Sequence, residues 1–89
     1  MRRVRVKISG LVQGVFYRAA CADLAERLGL AGSIRNAPCG VVEAVFEGDE
    51  GRVDDMLAWC RKGPPHARVD RLEVVEEVPT GAEGFRITR

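Results

Sequence analysis

The chain has 89 residues, 46% of them apolar, and a formal net charge of +1. That is enough for one core and one domain over residues 1–89, and too little positive charge to build a field that attracts nucleic acid. No apolar run approaches the length of a membrane span and no cleavable signal pattern opens the sequence, so a monomeric cytoplasmic protein with no membrane partner is expected.

Arg3 to Ile8 alternates, with Val4, Val6 and Ile8 on one face and Arg3, Arg5 and Lys7 on the other, the pattern of a half-buried strand. The next stretch, Gly10 to Arg18, reads GLVQGVFYR and lies between that strand and a helical pattern. Gly10 and Gly14 allow positive φ and leave backbone N–H groups uncovered. Consecutive free N–H groups at the start of a helix make an anion site, reinforced by the helix dipole. Arg18 falls in the first turn of that helix, where a cation opposes the dipole at a cost of roughly 0.3–1 kcal/mol. An anion gripped between the guanidinium and the amides would account for that placement. A glycine turn followed by a solvated arginine accounts for it equally well on the loop alone.

Tyr17, Cys21, Leu24 and Leu28 then recur at helical spacing, and Gly29 is a C-terminal stop. Gly32 opens a short strand with Ile34 and Asn36 on one face. Ala37-Pro38-Cys39-Gly40 is a tight turn, and Val41 to Glu47 is the returning strand of a hairpin. Glu43 and Glu47 read as its solvated face. Asp49 is the N-cap of a second helix, whose stripe is Val53, Met56, Leu57 and Cys60, with Trp59 off the stripe at the edge of the core. Gly63-Pro64-Pro65 ends it. Leu72 and Val74 mark a fourth strand, Pro79 to Gly81 a turn, and Gly84 to Thr88 a short last strand with Phe85 and Ile87 inward.

The order β-α-β-β-α-β is that of the split βαβ, ferredoxin-like α+β sandwich: two helices on one face of a mainly antiparallel sheet. The first and third strands then lie side by side and the second pairs with the third, which lets Asn36 approach the first loop. The fold alone says little about function.

Cys21, Cys39 and Cys60 are odd in number and lack C-x-x-C spacing, the usage of reduced thiols rather than of a disulfide frame or zinc site, although a Cys21–Cys60 bridge is conceivable. His66, the only histidine, reads as a solvated loop residue. No metal or other cofactor is expected. The chain holds one Gln and one Asn, Gln13 and Asn36, and both fall in the segments singled out above.

The GLVQGVFYR stretch closely resembles the acylphosphatase signature, roughly G-x-V-Q-G-V-x-F/Y-R. Gly32 to Glu43, GSIRNAPCGVVE, resembles the family's second stretch, roughly G-W-V-x-N-x-x-D-G-x-V-E. Gly63-Pro64-Pro65 and Glu83-Gly84-Phe85 are similar to bacterial members, so the resemblance covers essentially the whole chain. Ser33 replaces the usual aromatic and Cys39 the usual Asp, departures that bear on the hairpin's stability. The resemblance implies metal-independent hydrolysis of acyl phosphates to carboxylate and inorganic phosphate, with phosphate or sulfate as a competing anion. It assigns phosphate binding to Arg18 and to the backbone amides of Gln13, Gly14, Val15, Phe16, Tyr17 and Arg18, and water orientation to Asn36. Alone, Asn36 reads as a strand-end residue bracing the turn; beside the first motif, the catalytic reading prevails. An RNA-binding module is disfavoured, since the first strand has no aromatic and the third has only Phe46. A regulatory or maturation role is harder to exclude, since similar domains occur inside larger carbamoyl-transfer proteins, although those carry additional zinc-type cysteine clusters that this sequence lacks.

Overall fold

The computed structural model describes residues 1–88. Strand β1 (Arg2–Leu11) leads to helix α1 (Tyr17–Arg27), β2 (Ala31–Asn36), a 3-10 turn (Pro38–Gly40), β3 (Val42–Gly48), helix α2 (Glu50–Lys62), β4 (Arg68–Glu77) and β5 (Phe85–Ile87). The sheet order is β4-β1-β3-β2-β5, all neighbours antiparallel except β2 and β5. The four longer strands have the expected ferredoxin-like arrangement, with the short β5 added at the edge.

The alternation in β1 works as the sequence implies. Val4, Val6 and Ile8 are fully buried and join Val42, Ala44 and Phe46 of β3 in one cluster with Tyr17, Cys21 and Ala25 of α1 and Val53, Met56 and Cys60 of α2. Each such aliphatic side chain contributes roughly 1.5–3 kcal/mol by leaving water. Leu24 and Leu28 flank this core rather than fill it, and Ala25 takes the buried position in the third turn of the stripe. Trp59 lies at the edge as expected, its ring 5.2 Å from that of Tyr17. The helix stops also hold. Gly29 has φ 68° and Gly63 φ 70°, and Asp49 accepts the Arg52 amide at 3.3 Å as the N-cap of α2.

Three expectations need correction. Gly10 belongs to β1, not to the loop: it sits at a bulge opposite Val69 with φ 130°, and a Cβ there would lie 2.2 Å from the Arg68 carbonyl oxygen. Close approach of β4, rather than exposure of an amide, explains the glycine. Glu47 is not solvated. It is 2% exposed, and its carboxylate accepts from the amides of Thr80, Gly81 and Ala82 and from Arg3. Period-two alternation assigns Glu47 to the face away from the helices but cannot show that the β4–β5 connection covers it. Phe85 does turn inward and stacks on Phe46, at 5.6 Å and 8° between planes, whereas Ile87 remains 47% exposed.

Register places the site. Ile8 pairs with Val42, and Val42 with Asn36, so the end of β1 and the end of β2 share one edge of the sheet. The loop from Val12 to Phe16 and the hairpin turn therefore emerge side by side. Ile87 arrives there too, because β5 pairs Ile87 with Ile34.

Candidate active site

Loop and helix make the first half of the site. Val12 is buried in the core and anchors the start of the loop. Gly14 takes φ 75°, with open space where a Cβ would be, and Phe16 takes φ 63° and ψ 21° at the N-cap of α1. A left-handed conformation costs a non-glycine residue roughly 1–2 kcal/mol. The Phe16 ring is 81% exposed, so its burial returns little of that. What the conformation achieves is a turn into α1 with no side chain over the helix start: α1 has no capping side chain and no acidic residue in its first turn. The first-turn amides, which have no partner within a helix, are left free. Among the described residues, the amides of Gln13 to Phe16 donate to no backbone carbonyl either. The result is a run of N–H groups at the positive end of a helix.

Arg18 and Asn36 face this run across one pocket of about 280 Å³, lined by Val12, Gly14, Phe16 to Ala19, Asn36 and Ile87. Arg18 is half-buried. Arg18 has no carboxylate partner among the described residues, whereas Arg35 at the end of β2 is paired with Glu43. Asn36 closes β2 on the same face as the buried Ile34, and its Oδ1 is buried without a hydrogen-bond partner. An orphaned buried acceptor costs roughly 1–3 kcal/mol, and most are satisfied by water or a ligand. An unpaired cation, free amides and an unpartnered acceptor thus converge on one space. Such a space can take an anion and, beside it, a polarised water.

The structure thus brings the expected Arg18 and Asn36 together, with Gly14, Phe16, Tyr17 and Arg18 of the expected amide donors on the pocket wall. Gln13 and Val15 lie in the loop but not on that wall. Val15 packs against the core. The Gln13 side chain reaches the hairpin instead, donating from Nε2 to the Ala37 and Val41 carbonyls, each at 2.9 Å. The Tyr17 ring turns inward and its hydroxyl donates to the Cys60 carbonyl at 2.7 Å; burial pushes the phenol far up, which keeps it a donor. Ile87 also lines this wall, where the pattern of the last strand marks it only as an inward residue.

Other reactive side chains lie elsewhere. Cys21 and Cys60 are buried and free, and the Cys21 thiol is pushed far up by its hydrogen bond with Cys60 and by burial, so it stays protonated. His66 stands exposed beyond α2. Among the described residues, no three His, Cys, Asp or Glu side chains gather where they could hold a metal ion.

The acylphosphatase family model matches residues 4–87. An acylphosphatase of Rubrobacter xylanophilus is 56% identical over 87 residues, covering 97% of this chain and 79% of the relative. The crystal structure of acylphosphatase from Bacillus subtilis superposes with a TM-score of 0.96 at 30% identity, covering all of both chains. Full-length HypF, solved in a phosphate- and nucleotide-bound form, also matches, with a TM-score of 0.91 at 25% identity. This chain spans 12% of it.

Proposed function

The chain belongs to the acylphosphatase family and is an acylphosphatase, and from that premise we propose how its residues divide the work. The phosphate of an acyl phosphate sits between the Arg18 guanidinium and the amides of the Gln13 to Arg18 loop, with those of Gly14, Phe16, Tyr17 and Arg18 nearest the pocket. The Asn36 Oδ1 accepts a hydrogen bond from the attacking water. The observation that carries this reading is the Oδ1 left unpartnered among the described residues, in the same pocket as an arginine that has no carboxylate partner among them.

The chemistry needs little more. Water attacks phosphorus, the bond from phosphorus to the acyl oxygen breaks, and that electron pair leaves with the carboxylate, a weak base that needs no general acid. The water's proton passes to a phosphate oxygen of the substrate, so a neutral amide suffices to place the nucleophile. Charge building on the phosphoryl oxygens is met by fixed donors that do not have to reorganise.

The test is hydrolysis of benzoyl phosphate in EDTA. Turnover should be undiminished by the chelator, and inorganic phosphate should compete with substrate, because product and substrate share one cradle. Between about pH 5 and 8 kcat should vary little apart from the substrate's own phosphate titration, since no His, Cys, Asp or Glu lines the pocket among the described residues. A sharp bell carrying enzyme pKa values in that window, or purely noncompetitive phosphate inhibition, would overturn the assignment.

A further inference from the structure

We propose that Gln13 is a positioning residue that sets Asn36 against the phosphate loop. This rests on the reading of Asn36 as the holder of the water. The two N–H bonds of Gln13 Nε2 go to the carbonyls of Ala37 and Val41, both at 2.9 Å. These carbonyls flank the mouth of the hairpin turn, and the two residues are themselves joined, since the Ala37 amide donates to the Val41 carbonyl at 2.7 Å. Ala37 directly follows Asn36. One primary amide thus stitches the loop to both sides of the turn, one residue from the orphaned Oδ1.

No other contact of this kind joins the two segments among the described residues: the remaining side-chain hydrogen bonds of the hairpin stay within it or reach Arg3 and the β4–β5 connection. The chemistry of the link is exacting. It needs two donors on one atom at the end of a three-carbon arm, which a carboxylate of the same length cannot supply. The Val12–Phe16 loop carries the cradle and the hairpin carries Asn36, so the distance between anion and water is set where Gln13 joins them. Misplacement of a reacting group by about 1 Å can cost on the order of 10²-fold in rate.

Two variants test it. Gln13→Met keeps the length of the arm and removes both donors; Gln13→Glu keeps the length and sets two acceptors against two carbonyls. In either folded variant kcat for benzoyl phosphate should fall on the order of 10-fold or more, while in the uncharged Gln13→Met the inhibition constant of inorganic phosphate stays within about twofold, because the cradle is intact. A second readout is spectroscopic. With one Gln and one Asn in the chain, the side-chain amide region of a nitrogen-15 correlation spectrum holds one NH₂ pair from each, and in Gln13→Met the remaining pair is Asn36's. That pair should shift relative to wild type. Wild-type kcat in folded Gln13→Met overturns the proposal, as does a fall in kcat with the Asn36 pair unmoved. If Asn36→Ala turns over at the wild-type rate, the failure lies with the water assignment, and a shifted pair in Gln13→Met would still establish the mechanical link.

Discussion

Arg18 and Asn36 meet the same anion in different ways, and substitutions should separate them. The guanidinium binds phosphate in the ground state and the transition state alike, so Arg18→Ala should weaken phosphate inhibition and lower kcat/KM on the order of 10³-fold, about 4 kcal/mol. Arg18→Lys should recover little, because a point charge does not reproduce a planar two-pronged donor. Asn36→Ala leaves the cradle in place. Its kcat should fall on the order of 10²-fold or more with phosphate inhibition close to wild type. Because Oδ1 bonds to no other side chain or backbone group among the described residues, the same variant should unfold within about 1 kcal/mol of wild type. Denaturant titration beside steady-state kinetics checks both halves. A folded Asn36→Ala protein with wild-type turnover would return Asn36 to the role of a turn residue.

The hairpin and the β4–β5 connection carry the strain and the anchorage at the next scale. Cys39 occupies the left-handed region with φ 66° and is exposed, so neither packing nor a side-chain bond offsets the cost. Asp and Asn adopt that conformation more readily, and Cys39→Asp should stabilise the protein by about 0.5–1 kcal/mol without changing kcat. The connection is anchored by Glu47, whose pKa is held down at about 2, against an ordinary 4.5, by the Thr80 amide, Arg3 and the Gly81 amide. A depressed carboxylate contributes stability that is complete above its unfolded pKa and is lost as pH falls through the folded one. Thermal melts should therefore show Glu47→Gln below wild type at pH 7, with the gap closing between about pH 4.5 and pH 2. A gap independent of pH would mean that shape, not charge, holds the connection.

For the molecule as a whole, binding and stability are linked. A ligand that occupies only the folded state at a hundredfold its dissociation constant adds about 2.7 kcal/mol, which in a domain of this size raises the thermal midpoint by about 10 °C or more. Inorganic phosphate should do this to the wild-type protein and to Asn36→Ala, and should fail with Arg18→Ala. Glycine matters at the same scale, because the sheet closes tightly over Gly32. A Cβ there would stand 1.8 Å from the Val45 carbonyl oxygen, and φ is 137°. Gly32→Ala should cost on the order of 3 kcal/mol or more and loosen β2 from β3, and with them Asn36. Circular dichroism and phosphate-induced stabilisation, measured together, would show whether the site is lost along with the pairing.

Local periodicity and motif spacing sufficed for much of this. The alternation in β1, the stripe of α2, the stops at Gly29 and Gly63 and the ferredoxin-like order all follow from rules that act over a few residues, and each was legible along the chain. So was the candidacy of Arg18 and Asn36, since a nine-residue signature and a strand-end asparagine need no third dimension to be noticed. What only the tertiary structure decided was contact between segments distant in sequence. The burial of Glu47 depends on a loop more than thirty residues later. The glycine at position 10 answers to β4, Ile87 reaches the pocket through β5, and the Gln13 side chain turns away from the cradle to hold the hairpin. None of these leaves a periodic trace, because a hydrogen bond or a steric limit between remote segments constrains one residue at a time, whereas burial of a face constrains every second or every third to fourth.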